Sequence, residues 1–125
     1  MKRSVCSFTV RYSGIWLRVR LVATVPEVWA VWEHLARDPL WHVPVQDRPL
    51  SFFCPAVQSA SKHWGTIILL QSPKLYEHIP HEVVHAVFGY FDQKIDSDRD
   101  EEEFAGAVGV LSAKIFKKLQ PYLDR

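Results

Sequence analysis

The chain has 125 residues, 48% of them hydrophobic and 13% aromatic, which fills one core and leaves no room for two, so a single domain over residues 1–125 is expected. A formal net charge of +1 at pH 7 excludes a bulk attraction to nucleic acid or to an anionic membrane, although clusters of charge still act locally. Two cysteines, Cys6 and Cys54, are too few for a disulfide framework and lack the close pairing of a thiolate metal site, so both read as small buried apolar residues.

Near the start, Arg11, Arg18 and Arg20 interrupt any apolar run, so neither a signal peptide nor a membrane span is expected and the protein should stay in the cytoplasm. Cys6, Phe8, Val10 and Tyr12 alternate with Ser7, Thr9 and Arg11, and after Ser13-Gly14 Leu17, Val19, Leu21 and Ala23 alternate with Arg18, Arg20 and Val22. That spacing predicts a hairpin with a tight turn. Thr24-Val25-Pro26-Glu27 has the form of a capping box with proline in the first turn, and Val28, Trp29, Trp32, Leu35 and Ala36 supply the apolar face of a helix ending near Arg37. Trp29 and Trp32 are expected in the core.

Pro39, Pro44 and Pro49 argue against regular structure from Asp38 to Leu50, and Trp41 in this loop is expected to cover core more readily than to line a cleft. Ser51–Val57 and Trp64–Leu70 read as two more strands joined by the polar turn 58–62, with His63 at the end of that turn. The next helix starts either near Ile79, with Pro80 in its first turn, or earlier at Ser72-Pro73, with Pro80 kinking it. Within it stands His81-Glu82-Val83-Val84-His85, flanked by an apolar stripe of Val83, Val84, Val87, Phe88 and Phe91.

On a helix His81 and His85 share one face, so both imidazoles can reach one metal ion while Glu82 stands beside them. Zinc accepts neutral imidazole and carboxylate ligands, and a catalytic site takes three from the protein and leaves the fourth position to water. A neighbouring carboxylate, here Glu82, can take a proton from that water and return it to a leaving amine. The alternative is an amphipathic helix with a surface pair of histidines.

Asp98 and Glu101 have capping-box spacing at the head of a last helix, whose apolar face is Phe104, Val108, Leu111, Ile115 and Leu119 until Pro121 stops it. Glu102, Ala105, Gly106, Gly109 and Ala113 form a second stripe whose small side chains would permit close approach to a neighbour. Glu103 projects with Ala107, Lys114 and Lys118 toward the expected solvent side. Glu102 is therefore the candidate third zinc ligand, with Glu101 in reserve. The alternative is that all three acids complement the helix dipole, which is compatible with one of them binding metal.

The order of strand 64–70, His81-Glu82-x-x-His85 and Glu102-x-x-Ala105 resembles the gluzincin branch of the zincin-like metallopeptidases, and more closely the very small metallopeptidases common in bacteriophage and prophage genomes. The resemblance covers residues 64 to about 119. It implies an α+β, minimal zincin-like domain: a small mixed or antiparallel sheet of about four strands packed against an N-terminal helix, the active-site helix and a C-terminal helix. It implies Zn²⁺ as cofactor, peptide or protein as substrate, and a role for Trp64–Leu70 as the strand that pairs with extended substrate. The chain departs from larger members at Gly106, where they carry an acidic residue, so the group orienting a ligating histidine is unassigned. Tyr76, Tyr90, Tyr122 and His78 are the available donors to an oxyanion. A zincin-shaped, inactive binding protein, such as a phage-encoded inhibitor of a host factor, is the alternative. No nucleic acid or membrane partner is expected, and oligomeric state is not legible.

Overall fold

The computed structural model describes residues 5–56, 63–90 and 98–123, so Val57, the turn at 58–62 and Phe91 lie outside the described residues. Strands β1 (Cys6–Tyr12) and β2 (Ile15–Val22) pair antiparallel, with Tyr12 opposite Ile15. The two residues between them, Ser13 at φ 52° and Gly14 at φ 83°, both have positive φ. A type I′ turn needs that, and its twist matches the strands it joins.

Helix α1 (Val25–Ala36) follows, capped as the sequence predicts. The Thr24 hydroxyl donates to Glu27 Oε1 at 2.9 Å and accepts from the Glu27 amide at 3.4 Å. The helix ends on Arg37 at φ 55°. The loop after it is irregular apart from one 3₁₀ turn at Val45–Asp47, and it is braced against α1. Trp29 Nε1 donates to the Pro49 carbonyl at 3.0 Å, and the Leu40 amide donates to Glu33 at 2.9 Å. Leu40 is the residue this loop buries, whereas Trp41 is 80% exposed and covers no core.

Strand β3 (Phe52–Pro55) and strand β4 (His63–Leu70) complete a mixed sheet in the order β1-β2-β4-β3. β4 runs parallel to β2 and antiparallel to β3. A parallel pair needs a crossover, and α1 provides it on one face of the sheet. There Val22, Phe52, Ile68 and Leu70 pack with Val28, Trp29 and Trp32. The opposite face, with Leu17, Val19, Ile67 and Leu69, packs under helices α2 (Leu75–Tyr90) and α3 (Asp98–Leu119). The chain is thus an α+β domain with helices on both faces of one sheet.

The β2–β4 register slips by one residue: Trp16 faces His63 and Leu17 faces Gly65, leaving Trp64 as the extra residue. Strict alternation would send Trp64 to the α1 side with Ile68 and Leu70. The bulge turns it to the other face, where it joins the larger cluster and donates Nε1 to the Ala86 carbonyl at 2.9 Å. It also draws His63 into the strand, stacked on Trp16 at 4.1 Å, where the sequence reading placed a turn residue.

Of the two starts considered for α2, the earlier one is adopted, with Ser72 Oγ accepting from the Lys74 amide at 3.2 Å and Pro80 inside the helix. α2 and α3 lie antiparallel, since Phe88 meets Phe104 while Tyr76 meets Phe116. α3 is rotated from the expected orientation: Ala107 is fully buried with Leu111, Ile115 and Leu119, whereas the stripe of Ala105, Gly106, Gly109 and Ala113 faces solvent. A Cβ added at Gly106 or Gly109 would meet nothing within 4 Å, so no close approach explains these glycines. No helix among the described residues is long and apolar enough to cross a membrane.

Candidate metal centre

The middle turns of α2 carry the site, and the helix's burial pattern explains its stiffness. Ile79, Val83, Ala86 and Val87 are buried against the sheet and α3, which fixes the rotation of the helix about its axis. His81 and His85 then project together on its open flank, with Nε2 atoms 3.2 Å apart and rings crossed at 74°. Two imidazole nitrogens at about 2.0–2.1 Å from one zinc in tetrahedral geometry lie roughly 3.3–3.4 Å apart, so the pair is spaced to share an ion.

Glu82 sits on the inner side of the same turn and is only 3% exposed. Its Oε2 lies 3.9 Å from His81 Nε2, and the ligand atoms of His81, Glu82 and His85 all fall within 4.8 Å of one another. A buried carboxylate needs a partner, and Ser51 supplies it: Oγ donates to Glu82 Oε2 at 2.6 Å. This bond holds the carboxylate facing the histidines. Sequence reasoning placed Ser51 in a strand but gave it no role, because a serine heading an apolar run carries no signal of what it touches.

These groups open onto a cleft of about 400 Å³ between α2 and β3, walled by Phe52, Phe53, Pro55 and Phe88. Strand β3 is the sheet edge beside it. The role of substrate-pairing strand implied for Trp64–Leu70 is therefore corrected, because β4 has β2 on one side and β3 on the other and offers no free edge. The Ala56 amide donates to the Trp64 carbonyl at 3.0 Å, which makes alternate pairs the hydrogen-bonded ones. Phe53 accordingly turns its amide and carbonyl outward along the cleft, and Pro55, which has no N–H, its carbonyl alone.

The structure brings His81, Glu82 and His85 together and does not bring Glu102 to them. Glu102 is exposed in the first turns of α3, and at about 100° per residue it stands half a turn from fully buried Leu111. The two aromatic contacts set an antiparallel register in which Ala107 is level with His85 and Glu102 level with Tyr90. Glu101 is also exposed but lies nearer the α2 side of the helix.

Among the other candidates, His78 stands one turn before Glu82 with a buried Nδ1 that has no hydrogen-bond partner among the described residues. Burial pushes its pKa down, against the pull of Glu82 and Glu77. Tyr76 packs on Phe116, Tyr122 is engaged by Cys6 at the far side of the molecule, and neither lines the cleft. The side chain of Tyr90 lies outside the described residues. No protein-family model matches the chain, and no curated protein or solved structure matches it.

Proposed function

We propose that the protein is a zinc-dependent metallopeptidase, or a closely related amide hydrolase, acting on an extended peptide. The observation that carries this reading is the 3.2 Å spacing of the His81 and His85 Nε2 atoms beside a buried carboxylate. Zinc held there would supply a Lewis acid that acidifies water and polarises an amide carbonyl. His81 and His85 would hold and orient it. Glu82, held by Ser51, takes the proton from the attacking water and delivers it to the leaving amine. The outward amide and carbonyl of Phe53 and the carbonyl of Pro55 would align substrate as an added strand, and Phe52, Phe53 and Phe88 would shelter it from water.

A catalytic zinc site takes a third protein ligand. Glu102 is the residue that the sequence pattern assigns, with Glu101 as the second candidate. The outward placement of Glu102 favours a second reading, a zincin-shaped binding protein without turnover.

Zinc content and peptide hydrolysis measured together test both readings. About one equivalent of zinc per chain is expected, lost in His81→Ala and His85→Ala. Glu82→Gln should keep the metal and abolish hydrolysis. Metal content in Glu101→Ala and Glu102→Ala, made separately, identifies the third ligand. A chain that takes up no zinc after supplementation eliminates the hydrolase. One that binds zinc without any turnover supports the binding protein.

A further inference from the structure

The sheet has a second free edge, and it is built differently from the one beside the metal centre. Among the described residues β1 pairs only with β2, through a two-residue turn that makes Tyr12 and Ile15 a hydrogen-bonded pair. Alternate residues of β1 therefore turn their amides and carbonyls toward β2, while Ser7, Thr9 and Arg11 turn theirs outward. Lys114 confirms the phase, since its Nζ donates to the Arg11 carbonyl at 2.8 Å from across the edge.

Between this edge and the last turns of α3 lies a cleft of about 600 Å³, lined by Thr9, Arg11, Lys114, Lys117, Lys118 and Pro121. Among the described residues four cations line it and no carboxylate does. None of the four has an ion-pair partner among the described residues. One lysine on one carbonyl would suffice to shield an edge strand from aggregation. Three lysines facing an extended backbone make a field of one sign over a row of outward donors and acceptors, of which the Arg11 carbonyl takes Lys114, in a protein whose net charge is only +1.

The geometry points to the outer edge of β1 as a docking site for an acidic, extended segment of a partner protein, which adds a strand to the sheet and sets its carboxylates against Lys114, Lys117 and Lys118. The backbone selects a polypeptide over a nucleic acid, because a nucleic acid would satisfy the lysines and leave the outward groups of Ser7, Thr9 and Arg11 unpaired. On binding, Lys114 exchanges the Arg11 carbonyl for a partner carboxylate, freeing that carbonyl for the strand ladder. This edge lies across the sheet from β3, so the inference does not depend on the metal centre.

The test is fluorescence anisotropy of the whole protein with a labelled octapeptide of alternating Glu and Val. Saturable binding is expected. It should weaken roughly tenfold or more in a combined Lys114→Gln, Lys117→Gln, Lys118→Gln variant, each exposed ion pair contributing a few-fold. A similar loss is expected when alternate amides of the peptide are N-methylated, which keeps its charge and removes its strand donors. His85→Ala should bind the peptide as the parent does, which separates this edge from the α2 cleft. The proposal is overturned by the absence of saturable binding, by equal binding of the N-methylated peptide, by an oligonucleotide of equal charge that binds as tightly, or by loss of binding in His85→Ala.

Discussion

Ser51 and Glu82, 31 residues apart in sequence, meet at 2.6 Å, and their hydrogen bond ties the start of β3 to the middle of α2. A carboxylate that is 3% exposed and held by one hydroxyl depends on that hydroxyl for its aim. Hydrogen bonds to charged groups contribute about 1.5–3 kcal/mol, so Ser51→Ala should lower kcat by roughly ten- to a hundredfold. Zinc content should not change, and Ser51→Thr should restore most of the rate. Parallel assays of turnover and metal on the three proteins check this. Unaltered kcat in Ser51→Ala would remove the positioning role.

At Gly65 β4 lies close against β3. A Cβ there would stand 2.6 Å from the Cys54 carbonyl and 2.7 Å from Phe53 Cε1. The carbonyl can yield only by moving β3, which carries Ser51 at its head, and the Phe53 ring only by turning from its place in the cleft wall. Gly65→Ala should cost about 1–3 kcal/mol in urea unfolding, as overpacking does, and should also slow the proposed hydrolysis. Gly106→Ala, with open space around its Cβ, is the control and should be neutral or stabilising.

Zinc bound at the proposed site should stabilise the fold, because His81 and His85 converge only in the native state. At free zinc a hundredfold above Kd the gain is about 2.7 kcal/mol, or roughly 10 °C in Tm for a domain of this size. Differential scanning fluorimetry with and without chelator measures it. The shift should vanish in His81→Ala and persist in Glu82→Gln.

The two thiols should be slow nucleophiles. Burial pushes Cys54 above its ordinary value, and burial does the same to Cys6, partly offset by a hydrogen bond with Tyr122. A raised thiol pKa lowers the thiolate fraction at every pH below it, and the thiolate is the reactive species. Alkylation by iodoacetamide should therefore be slower than for a free thiol at neutral pH and should keep rising beyond about pH 9. Unfolding in urea should abolish the difference. Fast labelling at pH 7 in the folded protein would contradict the shift.

Much of this architecture is legible in the residues because it depends on neighbours in sequence. The positive φ pair at Ser13-Gly14, the Thr24 cap on α1 and the four-residue spacing of His81 and His85 are local geometry, and each appears where the sequence predicts it. His63 departs from its sequence reading because a one-residue slip between β2 and β4 reverses the face of Trp64 and takes its neighbour into the strand. Periodicity within one strand contains no information about its partner's register.

Strand order, the free edge at β3, the rotation of α3 that turns Glu102 outward and the contact of Ser51 with Glu82 were decided only by the tertiary structure. Each depends on which apolar face finds which partner across long sequence separations. A helix with buried Ala107 and exposed Gly109 reads from its own residues as though it had two candidate faces. Packing against α2 and β1 chooses between them, because only one rotation buries Leu111, Ile115 and Leu119 together.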